Sequence, residues 1–172
     1  MSRHNALCDA LYSTAVAASL GPSREGRFLL PGIDCRPADV LIPHWTGGQD
    51  TAWDVTVIHP LQAATVAGAA ASPGHALEVA VNRKNRGALE DCRRQGIKFI
   101  PLAVESLGGW HELAVGEIRK LAAALARQSG QEEKEARGHL LQRLSVSLMR
   151  GNGALFVNRI PDSVEADIDG QE

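Results

Sequence analysis

The sequence predicts a mixed α/β domain, on three observations. Two short apolar runs, Asp39–Ile42 and Trp53–Ile58, flank a spacer containing Pro43, Gly47 and Gly48, the pattern of an antiparallel hairpin. A third run, Ile97–Val104, is apolar almost throughout and fits a strand buried on both faces. Between and beyond these runs lie long segments with apolar residues three and four apart, the period of a helix. The order is helix, three strands, helix, strand, then two helices. A hairpin sheet extended by a strand after a crossover helix is an α/β arrangement.

Each element has a local reason. Residues 3–20 carry Leu7, Leu11, Ala15 and Ala18 at helical spacing, and Gly21-Pro22 stops the run. Arg27–Leu30 is a short strand candidate that ends at Pro31-Gly32. Pro60 ends the second hairpin strand. Residues 61–72 are Ala-rich and suggest a short helix before the break at Ser72-Pro73-Gly74. His75–Gln95 reads as a long helix closed by Gly96. Glu112–Ser129 is amphipathic, with Leu113, Ile118, Leu121 and Leu125 roughly on one side. Gln131–Met149 repeats Leu at 140, 144 and 148, and Gly151-Asn152-Gly153 is expected to break the chain after it. The expected organisation is a main domain over 1–130, a helical extension over 131–160 and a disordered acidic tail over 161–172.

The net charge of −2 hides an uneven distribution. Five acids and no base fall in residues 161–172, which leaves 18 basic and 15 acidic side chains in the rest. Six bases (Arg83, Lys84, Arg86, Arg93, Arg94, Lys98) lie within residues 83–98, against Glu90 and Asp91. Such a helix suits a phosphate backbone, although a solvated helix face has the same composition. The widely spaced Cys8, Cys35 and Cys92 argue against a disulfide framework or a zinc knuckle, and for a reducing, intracellular setting, nuclear or cytoplasmic. His44, His59, His75 and His111 match no zinc spacing. No segment reads as a signal peptide or membrane span.

The chemistry concentrates on Asp39 and Asp54. Each stands at the start of a hairpin strand, so pairing of the strands brings two carboxylates to one sheet edge. Two converging carboxylates form a hard oxygen site suited to Mg²⁺, an ion that commonly serves phosphate chemistry. Asp54 lies inside an apolar run, where a lone carboxylate is costly unless paired or metal-bound. Lys84 follows on the long helix. Asp, Asp and Lys in that order suggest a metal-dependent nuclease.

The segment Arg36-Pro37-Ala38-Asp39-Val40-Leu41-Ile42, then Asp54-Val55-Thr56-Val57, then a lysine-bearing helix, resembles the PD-(D/E)XK, restriction-endonuclease-like domain of non-LTR retrotransposon proteins. Arg3-His4-Asn5, Arg83-Lys84, Cys92–Leu102 and Glu105–Trp110 extend the resemblance to about residues 3–128. It implies a restriction-endonuclease-like core (helix, three-strand meander, helix, strand) with added C-terminal helices. It implies that Asp39 and Asp54 ligate Mg²⁺, with Mn²⁺ as the alternative ion, and that the catalytic set is Asp39, Asp54 and Lys84. The superfamily's usual lysine stands two residues after the second acid, where this chain has Thr56. In the retrotransposon branch the lysine comes from the following helix, and Lys84 fits that position. DNA is the implied partner, with Arg83 and Arg86 on its backbone, and the implied activity is Mg²⁺-dependent nicking. Neither a reverse transcriptase nor a Cys/His zinc finger is in the sequence, so the chain reads as a detached C-terminal fragment of such a protein. A non-catalytic nucleic-acid-binding relic and a helical interaction module are the competing readings. Glu25 is a candidate extra acid, Glu105 a cap or ion-pair partner, and Trp110 a packing anchor.

Overall fold

The computed structural model describes residues 2–24 and 38–158. The Arg27–Leu30 strand, Glu25, Cys35 and the acidic tail lie outside these residues. Within them the chain is mixed α/β, with a four-stranded sheet and five helices. The elements are α1 (Arg3–Ala17), β1 (Ser23–Arg24), β2 (Val40–Thr46), β3 (Gln49–Ile58), α2 (Val66–Ala71), α3 (His75–Arg94), β4 (Lys98–Glu105), α4 (Glu112–Ser129) and α5 (Glu133–Val157). Spatial order follows chain order, β1-β2-β3-β4. The first two pairings are antiparallel, and β3 and β4, separated by α3, run parallel.

Two expectations from the sequence need correction. The spacer between the hairpin strands is not a long loop. The strands continue to Thr46 and Gln49, which pair directly across Gly47-Gly48. Both glycines have positive φ (59° and 83°), the requirement of a two-residue hairpin turn whose twist matches its strands. The extra length is absorbed by a register shift between Ile42 and Thr46. There His44 takes φ 51° and its N–H donates to Asp50. Second, Gly151-Asn152-Gly153 does not end the last helix, which runs on to Val157. Gly151 is buried against Arg3 of α1, and Asn152 bonds both Arg3 and the Ser106 carbonyl. Tertiary contacts thus offset the poor helix propensity of the glycines.

Period-two alternation along β3 divides the core. Trp53 and Val55 join Val40, Ile42, Ile100, Leu102 and Val104 on one face, under α1, α4 and α5. Leu140, Leu144 and Leu148 of α5 belong to this same core, so the helix beyond residue 130 packs as part of it. Ala52, Asp54, Thr56 and Ile58 take the opposite face, toward α3. On the larger face the buried Glu117 carboxylate accepts from the indole N–H groups of Trp45 and Trp53 and from Lys120. Among the described residues no helix is long and apolar enough to cross a membrane.

Candidate active site

The end of the β2–β3 pairing makes the site. The ladder reaches the Val40–Trp53 pair, and the β3 residues after Trp53 have no β2 partner in the register. Asp39, the residue before β2, finishes the edge. Its N–H donates to the Trp53 carbonyl at 2.9 Å, and its Oδ2 accepts the Val55 N–H at 2.7 Å. Its side chain is thereby aimed along the edge toward Asp54. The Asp39 charge acts on Asp54, so the two carboxylates lie near one another.

Each carboxylate has a cationic neighbour from a different helix. Lys84 Nζ reaches across from α3 to both oxygens of Asp54, at 2.8 and 3.0 Å. Lys84 lies on α3 with the spacing that also places Ala76, Leu77, Ala80 and Val81 against the sheet, so the alkyl stem packs inward and the ammonium meets β3. His4 Nε2, in the first turn of α1, stands 3.0 Å from Asp39 Oδ2. Cys8, one turn further along α1, places its sulfur 3.7 Å from the same nitrogen.

These environments push the two acids apart. Burial raises Asp54, the Lys84 ammonium opposes it, and the neighbouring Asp39 charge adds to the rise; its pKa stands at about 6. Burial also works against ionised Asp39, but the His4 bond and charge and the Val55 N–H outweigh it and hold that carboxyl below its ordinary range. The bond to Asp39, and then that to Cys8, hold His4 well above its ordinary value, as a cation. Burial raises the Cys8 thiol. A pair of carboxyl groups driven in opposite directions beside an open cleft is a recognised mark of functional sites.

A cleft of about 560 Å³ opens beside the pair. Its walls are the start of α1 (Ser2, Arg3, His4), Val55–Val57 of β3, Arg83 and Lys84 of α3, and the far end of α5. Arg3 is held by Asn152 at 2.8 Å, and Arg83 reaches the Thr56 hydroxyl at 3.5 Å.

The structure therefore brings together Asp39, Asp54, Lys84 and Arg83. It does not bring Arg86, which lines a separate shallow surface with Asn82, Asn85 and Leu89 and donates to its own helix. Arg93 and Arg94 are compensated locally by Glu90 and Asp91. Glu105 lies over Gly109 at the turn after β4, and Trp110 packs on the main core through a bridge to Val104. Sequence reasoning missed His4, Cys8, Arg3 and Asn152. The spacing of His4 and Cys8, four apart on a helix, was the available signal for the first two. Nothing local marks Asn152, since its partners lie at positions 3 and 106.

As for ions, two neighbouring carboxylates, largely buried behind the His4 and Lys84 wall of the cleft, are the donor type Mg²⁺ takes when it keeps several waters and shares a substrate phosphate. The residues fit that ion. No family model, curated protein or solved structure matches this chain.

Proposed function

We propose that this chain is a metal-dependent phosphodiesterase acting on DNA, a nicking endonuclease with a restriction-endonuclease-like core. The observation that carries the reading is the meeting of Asp39, Asp54 and Lys84 from three separate parts of the chain beside a cation-lined cleft. Asp39 and Asp54 would hold Mg²⁺ or Mn²⁺. A bound ion of this kind neutralises phosphate charge and lowers the pKa of its water. The chain's own groups have distinct tasks. Lys84 stabilises negative charge developing on the phosphate, a task for a positioned cation. Arg3 and Arg83 hold the flanking backbone phosphates, and Asn152 and Thr56 fix where those guanidinium groups reach. Relation to the retrotransposon branch is part of this proposal, on the motifs of the sequence.

A second reading has a specific observation in its favour. Lys84 engages both oxygens of Asp54, and His4 engages Asp39, so the carboxylates are satisfied by protein partners as they stand. That is what a nucleic-acid-binding relic without turnover would keep. A plasmid nicking assay separates the two. Conversion of supercoiled to open-circular DNA with Mg²⁺ or Mn²⁺, abolished by EDTA, supports the enzyme. DNA binding without any nicking supports the relic. The exposed apolar residues of α5 are Leu141, Val146, Met149, Leu155, Phe156 and Val157, and Val146, Met149, Phe156 and Val157 share one side of the helix, an observation that keeps the interaction-module reading in play.

A further inference from the structure

Three side chains of unlike donor chemistry meet at the start of α1. His4 and Cys8 are four residues apart on that helix and share one side of it. Asp39 joins them from the entry to β2. One donor atom from each lies within 4.8 Å of the other two. His4 Nε2 is 3.0 Å from Asp39 Oδ2, and the Cys8 sulfur is 3.7 Å from Nε2 and 3.8 Å from Nδ1. Metal–ligand bonds of about 2.0–2.3 Å in a tetrahedron put the ligands themselves about 3.2–3.8 Å apart. The His4–Asp39 and His4–Cys8 separations are near that value, and Cys8 and Asp39 lie within 4.8 Å of each other. The nearly equal sulfur distances to the two ring nitrogens set the sulfur over the imidazole, so the ring must turn to aim Nε2 at a common centre. The ring is 41% exposed at the cleft and has room to do so.

Ligand type then selects the ion. Mg²⁺ takes hard oxygen donors and has no use for a thiolate or an imidazole at this position. A thiolate, an imidazole and a carboxylate together suit zinc and its chemical neighbours. Three protein ligands leave one of four tetrahedral positions open, the arrangement of reactive rather than purely structural zinc sites. His4 is itself a wall of the cleft that Arg3, Arg83 and Lys84 line.

We propose that His4, Cys8 and Asp39 form a three-ligand site for a zinc-class divalent ion, with its open coordination position toward the cleft. The site does not depend on the phosphodiesterase reading. Asp39 is common to both, but His4 and Cys8 take no part in the proposed Mg²⁺ ligation. Because one carboxylate serves both ions, zinc and magnesium compete for Asp39.

The test is a titration of the full chain with Co²⁺, the spectroscopic substitute for Zn²⁺, in Mg²⁺-free buffer. One equivalent should bind and produce a thiolate-to-cobalt charge-transfer band that Zn²⁺ then removes. Cys8→Ser should abolish the band, and His4→Gln should weaken Co²⁺ binding by about tenfold or more. Cys35→Ser and Cys92→Ser should leave it in place. Circular dichroism establishes whether Cys8→Ser remains folded. If it does not, X-ray absorption of the zinc-loaded wild-type chain decides, with one sulfur in the coordination shell as the expected result. Absence of the band, its survival in folded Cys8→Ser, its loss in either control variant, or a shell of nitrogen and oxygen alone would overturn the site. No DNA and no turnover enter these measurements, so their failure and a failed nicking assay are separate results.

Discussion

Asp54 shows how one residue ties chemistry to stability. Its carboxyl, at about 6 rather than its ordinary 3.8, holds a proton more tightly in the folded chain than in the unfolded one. It therefore favours folding at low pH, and that contribution fades as pH rises from about 4 to about 6. Asp39, held below its ordinary range, acts in the opposite sense: its contribution is present above that range and is lost as pH falls through the lowered value. Asp54→Asn removes one of the two effects. Urea denaturation should show the variant gaining stability relative to wild type between pH 4 and pH 7, and an unchanged difference across that interval would refute the assigned environment. In the nicking assay the same variant should lose about a hundredfold or more of its Mg²⁺-dependent rate while staying folded. Lys84 supplies the complementary measurement. Lys84→Met leaves Asp54 largely buried without its cation. Breaking such a pair costs about 3–5 kcal/mol when fully buried, and partial exposure here reduces that to about 1–2 kcal/mol at pH 8. At pH 4.5 the loss should nearly vanish, because Asp54 then keeps its proton. Asp39, Asp54 and Lys84 were legible in the sequence because each breaks a local expectation or stands in order along a motif. His4 was not, because a histidine in a first turn is ordinary until the fold sets a carboxylate against it.

Among the elements, α5 departs furthest from what its own sequence suggests. Two glycines around an asparagine read as a stop, yet the helix continues, since the contacts that hold it come from α1 and the turn after β4. Gly151 and Gly153 make a matched pair for testing this. A Cβ at Gly151 would overlap the Arg3 side chain and stand 3.0 Å from the Arg3 Cα, whereas one at Gly153 would meet nothing within 4 Å. Ala favours a helix over Gly by about 1 kcal/mol, while overpacking costs about 1–3 kcal/mol. Gly153→Ala should therefore stabilise by up to about 1 kcal/mol, and Gly151→Ala should destabilise by about 1 kcal/mol and displace the start of α1. Equal effects of the two changes in thermal denaturation would remove the claim that α1 leans on α5 there. Helices α3 and α4 were readable almost to the residue, because each has a clear apolar side and a glycine at or near its end. The β2 boundary was not readable, because the register shift at His44 breaks the alternation on which a strand is recognised.

Taken whole, the molecule places its bases unevenly with respect to the cleft. The concentration of positive charge in residues 83–98 suggested a broad phosphate-binding helix, but Arg93 and Arg94 are paired and Arg86 faces elsewhere. Lys84 is committed to Asp54. On the proposed function Arg3 and Arg83 would be the cleft's phosphate contacts, and DNA binding should then be weak, with a salt slope of about −2 on duplex DNA. A slope several times steeper in a filter-binding titration would place the interface on another surface. The whole-molecule feature hardest to foresee was this use of α1 and α5, since no local pattern announces a contact across some 149 positions of chain. It has a consequence for biosynthesis. The cleft takes walls from residues 2–4 and from 151–158, so it stays open on one side until nearly all of the described chain has left the ribosome. Chains emerge at about 5–20 residues per second. For several seconds, then, the first helix carries its arginine and histidine through translation with no opposing wall. A chain stopped before residue 151 would carry the two aspartates and the lysine without the α5 wall of the cleft.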